Sequence, residues 1–297
     1  MAFGLPGVVM GIATLVLWRG RFTFVQVPPA GLRAITQGMT REVGLKLGRL
    51  LTVHAFLAVF WSLYDQSGSV WVQQAERMNR NLFGVEWLPS QIQAINPLLI
   101  LLYVPLFNGI HIAPCGLRRC RECRFAGIYG WASQWLELTA LRKISMGFFV
   151  TILAFGMDMA VEGWISAGET PSILWLLLCY AVLTIAEVLV SVTALEFSYS
   201  QAPEEMKSWV MAMYLGSISV GNAVTAAVNA AIVRADGSSR LSNIQYMQLF
   251  TTFMLISAVL FLVFMRYYND DLPTASIASV SDDVDEPTVT SRREAPD

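Results

Sequence analysis

Charge is what this chain has least of. Only 14% of its 297 residues are Asp, Glu, Lys or Arg, where a soluble globular domain carries about 25%. The composition is instead 55% hydrophobic, with a mean hydropathy of +0.52. That excludes an ordinary soluble fold, and with no basic face on a water-exposed domain it excludes nucleic acid as a partner. Cysteine is scarce as well. Of four, Cys115, Cys120 and Cys123 crowd into one Arg-rich stretch, which is no secreted disulfide framework. A basic leader is also lacking: the first apolar run begins at Met1, and the flank Trp18–Arg21 follows it. A signal peptide has the opposite order, so Met1 reads as the interior of a longer polytopic chain.

What the sequence has in abundance is long apolar runs. About 20 apolar residues suffice for a helix to cross a bilayer. Seven candidate spans occur, at about 2–18, 48–75, 90–112, 143–163, 172–199, 207–233 and 243–268. An all-α integral membrane protein is expected. Sixteen Lys and Arg residues follow the odd-numbered spans, whereas Arg77, Arg80, Arg234 and Arg240 alone follow the even ones. The positive-inside rule then predicts a multi-pass protein of the cell membrane with its N-terminus outside and its C-terminus in the cytoplasm. Residues 19–47 read as a cytoplasmic connector, with one amphipathic turn within 28–46. The tail 269–297 carries eight acids and almost no large apolar residues, a composition that predicts disorder.

Against this background the polar residues inside the spans carry the functional information. A charge at mid-bilayer costs about 2.5–3.5 kcal/mol on insertion scales and commonly marks a cavity or an ion path. Asp65 lies in FWSLYDQSGSVW, with Trp61 four residues earlier on the same helix face. Ser62, Gln66 and Ser69 extend a polar stripe that reads as a wet inward face. The acid is either a gate or proton-linked group, or a static partner of an Arg on another helix. Glu187 sits near the centre of its span with Ser191 one turn later. A carboxylate there can take up a proton, because low dielectric penalises its charged form; it can pair with a substrate ammonium, or hydrogen-bond within the core. Asn96 precedes Pro97, which removes a backbone donor; its amide can serve a ligand or simply packing. Glu196 falls near the end of its span, where snorkelling or an interhelical bond accounts for it. Asp158 and Glu162, one turn apart near the end of theirs, read as interfacial. His111, Cys115, Cys120 and Cys123 match no zinc spacing and read as a loop of reduced thiols.

Three segments carry a resemblance. FWSLYDQSGSVWVQQAERMNR, QIQAINPLLILLYVPLF and EVLVSVTALEFSYSQAPEEMKSWVMAMYLGSISVGN are similar to the proton-dependent oligopeptide transporter family of the major facilitator superfamily. LEFSYSQAP followed by M-K-S and G-N is the most specific part. The resemblance covers nearly all of 2–268, apart from His111–Leu136, and maps onto the sixth span and the C-terminal six-helix half of that family's twelve. It implies one leading helix (1–18), the connector 19–47, a six-helix half-bundle (48–268, with an atypical loop 113–142) and the tail 269–297. It also implies roles: Asp65 as the gate acid linked to proton coupling, Trp61 on the pocket wall, and Asn96 and Glu187 holding the peptide's amino terminus with Ser191 adjacent. Tyr214 stands where the family often has Trp. The family's N-terminal half, with its ExxER-type motif, lies outside the match. An insertion or a frameshifted stretch would equally explain His111–Leu136.

The expected function is proton-coupled symport of di- and tripeptides, as the C-terminal portion of such a transporter. No covalent chemistry or cofactor is expected, the proton being the coupling ion. The expected partners are membrane lipid, the peptide substrate and the opposing N-terminal half. The alternative is a non-transporting half-protein, either a gene fragment or an assembly subunit. A seven-helix photoreceptor would match the span count but needs a mid-membrane Lys in its seventh span, which the sequence lacks.

Overall fold

A computed structural model describes residues 4–23, 40–82, 84–108, 110–111, 124–125, 128, 138–202, 206–234 and 239–268. Its elements in chain order are α1 (Gly4–Gly20), α2 (Arg41–Tyr64), a 3₁₀ turn (Asp65–Gly68), α3 (Val70–Glu76), β1 (Asn81–Leu82), β2 (Val85–Glu86), α4 (Pro89–Ile92) and α5 (Ile95–Asn108). There follow β3 (Ile110–His111), β4 (Arg124–Phe125), α6 (Ala140–Ser166), α7 (Leu174–Glu187), a π segment (Val188–Val192), α8 (Thr193–Gln201), α9 (Lys207–Ile232) and α10 (Asn243–Tyr267). The strands form two small antiparallel pairs, β1–β2 and β3–β4. Gly84, between β1 and β2, takes φ +81°, a left-handed conformation that a side chain would disfavour.

The fold is therefore an all-α membrane protein. Among the described residues, six stretches are long and apolar enough to cross a bilayer: Val43–Glu76, Pro89–Asn108, Ala140–Ser166, Leu174–Gln201, Lys207–Ile232 and Asn243–Tyr267. The leading helix α1 is apolar but shorter, at 17 residues. Large aliphatic side chains stand exposed along α1, α5 and α10, a surface that lipid covers at no cost and water does not. Cys115, Cys120, Cys123, most of the connector and the tail 269–297 lie outside the described residues.

The chain divides into two compact units. The smaller comprises residues 1–55 and 195–217. Within it His54 Nε2 lies 3.1 Å from Ser198 Oγ, both residues being buried. Glu196 is exposed, in keeping with a peripheral role.

The larger unit comprises 56–194 and 218–297. Here α6 packs along α7 and α10, and α5 packs on α7. In lipid, helices gain little from hydrophobic burial against one another and associate through close packing and interhelical hydrogen bonds. Gly147 shows the first: a Cβ there would overlap Val190 Cγ2 and stand 3.1 Å from the Ala186 carbonyl, so α6 rests directly on the backbone of α7 and on side chains of the π segment. The aromatic centre is Phe60, Phe148 and Phe261, all fully buried, with Trp71 edge-on to Tyr180 at 4.7 Å.

Two helices are interrupted, each for a local reason. The sequence DQSG carries side chains that compete for backbone groups, plus a Gly of low helix propensity, and α2 tightens there into the 3₁₀ turn. Irregular backbone at membrane depth must find internal partners. Tyr180 Oη accordingly donates to the Ser67 carbonyl at 2.7 Å, and Gln66 Nε2 donates to the Ser62 carbonyl at 3.0 Å. The second interruption is the π segment after Glu187, a geometry that recurs at functional sites.

Two expectations are revised here. Of the stripe Ser62, Gln66 and Ser69, Ser69 is exposed, but the other two are not on a wet face. Both are buried: Ser62 Oγ bonds Thr225 Oγ1 at 2.9 Å, and Gln66 Oε1 accepts from Tyr246 at 3.0 Å. Those two form an interhelical seam, because α9 and α10 cover them. Asp158 and Glu162, near the end of their span, are buried within the protein, at 0% and 2% exposure. Arg77, which follows α3, and Asn243 at the start of α10 close over Glu162: Arg77 Nη2 meets Glu162 Oε2 at 2.8 Å, and Asn243 Nδ2 donates to Glu162 Oε1 at 3.2 Å. With its amide oriented to satisfy its neighbours, Gln74 donates to Asp158 Oδ1 at 2.5 Å and accepts from the Glu162 N–H at 3.2 Å. Pro97 sits in the first turn of α5, where a missing N–H would have had no intrahelical partner, and Asn96 stands beside the interruption at Gln93–Ala94 that separates α4 from α5.

Candidate functional site

Three helices of the larger unit converge on one polar cluster. Glu187 is the last residue of α7, placed where the regular helix gives way to the π segment. Asn96 stands in the first turn of α5 and is buried. Tyr64 closes α2, immediately before the 3₁₀ turn. Its hydroxyl donates to Glu187 Oε2 at 2.6 Å. Asn96 Nδ2 donates to Tyr64 Oη at 2.5 Å and reaches the same Glu187 oxygen at 3.1 Å. Thr184, one turn before Glu187, lies 3.5 Å from Asn96 Oδ1.

A cavity of about 490 Å³ opens beside this cluster, within the usual range for small-molecule sites. Tyr64, Gln93, Asn96, Ile100 and Glu187 are among its walls. Among the described lining residues there is one carboxylate and no cation. A half-buried anion without a fixed counter-charge, flanked by an amide and a phenol, suits a ligand bearing a cationic, hydrogen-bonding group.

The remaining expected site residues are distributed differently. Asp65 opens the 3₁₀ turn, half-buried, with the Asn222 amide as its polar neighbour. Ser191 turns its hydroxyl to the Glu187 backbone carbonyl at 2.8 Å, relieving the acceptor that the π segment displaces. Trp61 is buried and is not on the wall of this cavity; it backs Tyr64 edge-on at 5.4 Å. Tyr214 belongs to the smaller unit, where its ring meets His54 edge-on at 6.2 Å. Tyr64 itself is the residue that sequence reasoning passed over. Its signal was a phenol hydroxyl inside an apolar span, a group that needs a partner when buried.

Comparison with known proteins places this architecture. The family model described as POT family (PTR2) matches residues 32–249. The chain belongs to the POT family. That makes it a relative of transporters rather than of enzymes. Over 199 residues this POT-family chain is 30% identical to solute carrier family 15 member 2 of Homo sapiens, covering 54% of the chain and 25% of the relative. Over 209 residues it is 31% identical to peptide transporter family 1 of Caenorhabditis elegans, covering 52% and 23%. Among solved structures, the POT family transporter PepTSo matches at 31% identity and TM-score 0.65, over 78% of this chain and 43% of that one. An auto-inhibited POT family peptide transporter matches at 28% identity and TM-score 0.69, over 90% and 64%. The chain thus spans about a quarter of the length of the curated relatives it matches.

Proposed function

We propose that this chain supplies the C-terminal portion of a proton-coupled symporter of di- and tripeptides, and that Glu187 holds the peptide's amino terminus. The observation that carries the reading is the cavity with Glu187 as its lone carboxylate, oriented by Tyr64 and Asn96. A peptide ammonium supplies the charge that this carboxylate lacks, and the Asn96 amide adds a hydrogen bond.

In this reading Asp65, at the helix interruption beside Asn222, is the gate acid linked to proton coupling, and Glu187 shares that coupling. The proton is the only coupling ion and no cofactor takes part. Ser191 supports Glu187 through its backbone. Trp61, behind Tyr64, and separately Tyr214 are each assigned to substrate binding in this reading. Facilitators bind substrate between two halves and rock them about it, so the opposing N-terminal half is a partner, along with membrane lipid. The excess of Lys and Arg after odd-numbered spans supports an outside N-terminus and a cytoplasmic C-terminus.

The test is uptake. In a transporter completed with the N-terminal half of a POT relative, Glu187→Gln is expected to abolish proton-driven dipeptide uptake; wild-type uptake in that variant would overturn the assignment. A second reading, that the chain alone transports nothing, is favoured by its span of about a quarter of its relatives. Dipeptide accumulation by the chain expressed alone in proteoliposomes would overturn that second reading.

A further inference from the structure

The hydrogen bonds at Glu187 are divided unequally between its two oxygens. Tyr64 and Asn96 both donate to Oε2, at 2.6 and 3.1 Å. Oε1 accepts no hydrogen bond from the described residues, yet it is not among the buried polar atoms without partners, so it remains accessible. We infer that Tyr64 is a specificity-determining residue: by occupying Oε2 it makes Glu187 a one-oxygen acceptor, which takes a primary ammonium and rejects a guanidinium. The inference rests on the amine-binding reading of Glu187 above.

The two cations differ in how they meet a carboxylate. A guanidinium is a planar fork whose strong mode is bidentate, one N–H to each oxygen. An ammonium is a compact point charge whose three donors rotate freely, so a single oxygen satisfies it. With Oε2 filled by the phenol, the fork loses one of its two bonds while the ammonium loses nothing. A cavity of about 490 Å³ has room for either group, so size does not discriminate.

Tyr64 is also held in place. Its ring stacks on Phe60 at 5.7 Å and meets Trp61 edge-on at 5.4 Å. The 2.5 Å bond from Asn96 into its hydroxyl polarises the O–H that points to Glu187. Swinging it aside to admit a guanidinium would break both bonds at once.

The experiment uses the full 297-residue chain in lipid nanodiscs and calorimetric binding of three probes. These are glycyl-alanine, N-acetylglycyl-alanine, and guanidinoacetyl-alanine, in which the amine is replaced by a guanidinium. The wild type is expected to bind glycyl-alanine about tenfold or more tighter than the guanidino probe, the loss of one charge-assisted hydrogen bond. Y64F keeps the ring and removes the hydroxyl, and should bring the two affinities to within about threefold. An unchanged ratio in Y64F overturns the inference. Y64L removes the ring as well: if it weakens both probes by one common factor, Tyr64 acts through packing and the inference fails. Equal wild-type binding of glycyl-alanine and its N-acetyl form, or no binding of any probe, instead overturns the amine reading for this chain, whatever the Tyr64 variants do.

Discussion

Gly221 on α9 lies against the backbone of Ala58 on α2. A Cβ built there would stand 2.6 Å from the Ala58 carbonyl oxygen and 3.0 Å from both the Ser62 amide nitrogen and the Trp61 Cβ. The neighbours are backbone and a Cβ, which cannot swing aside. One turn further along α9, Thr225 Oγ1 meets Ser62 Oγ at 2.9 Å, a bond that depends on the same close approach. Gly221→Ala is expected to destabilise the protein by about 1–3 kcal/mol, the usual cost of forcing atoms into a packed contact. Thermal unfolding in detergent micelles checks this, and an unchanged midpoint would show that the two helices do not touch there.

Asn96 donates to both Tyr64 and Glu187. Asn96→Ala is expected to weaken glycyl-alanine binding about tenfold, close to 1.4 kcal/mol, because both partners lose an orienting donor. Asn96→Asp should weaken it less than Asn96→Ala, since the second carboxyl can share a proton with the first and the pair keeps a negative charge for the ammonium. Calorimetric titration in nanodiscs orders the two; equal affinities in Asn96→Ala and wild type would count against the site.

Arg77 and Glu162 form an uneven ion pair, with the Arg side chain 40% exposed and the Glu 2%. Removing the cation strands a buried carboxylate that keeps only Asn243 and so costs more than the pair itself contributes. Solvent already screens the exposed Arg end, so Arg77→Ala is expected to cost about 1–3 kcal/mol rather than the full buried-pair penalty. The double variant Arg77→Ala/Glu162→Gln should recover most of that loss. A double variant no more stable than Arg77→Ala, measured by thermal unfolding, would refute the pairing argument.

Asp158 is fully buried and, among the described residues, forms no salt bridge. Its Oδ2 has no hydrogen-bond partner. Asp158→Asn keeps an acceptor for Gln74 and removes an uncompensated buried acid, so it should leave stability unchanged or raise it. Asp158→Leu strands Gln74 instead, and should lower stability by about 1–3 kcal/mol. The same unfolding assay separates the two, and a large loss in Asp158→Asn would reveal a role for the acid that hydrogen bonding does not explain.

The parts of the site that were legible in the sequence are those with local signatures. Glu187 and Asn96 stand out because a carboxylate or an amide within an apolar span is rare and costly wherever its neighbours lie. Tyr64 did not stand out, since a Tyr among Phe, Trp and Leu blends into an aromatic wall until its hydroxyl's partner is known. The seam Ser62–Gln66 was misread for a related reason. Helical period states which residues share a face, but not whether water or another helix covers that face. For Asp158 and Glu162, nearness to a span's end does not state whether a residue is buried, and Arg77 and Asn243 close over Glu162.

By itself, then, the sequence determined the membrane class, the six later spans, the family and two of the three residues that meet at the cavity. Each follows from run length, composition or a motif contained in one segment. Tertiary structure alone decided that Tyr64 reaches Glu187 across 123 positions, that among the described residues one oxygen of that carboxylate is engaged, and that α9 and α10 cover Ser62 and Gln66. Those outcomes depend on where separate helices cross and where α2 and α7 lose their regular turn, and no local pattern encodes a meeting of side chains so far apart in the chain.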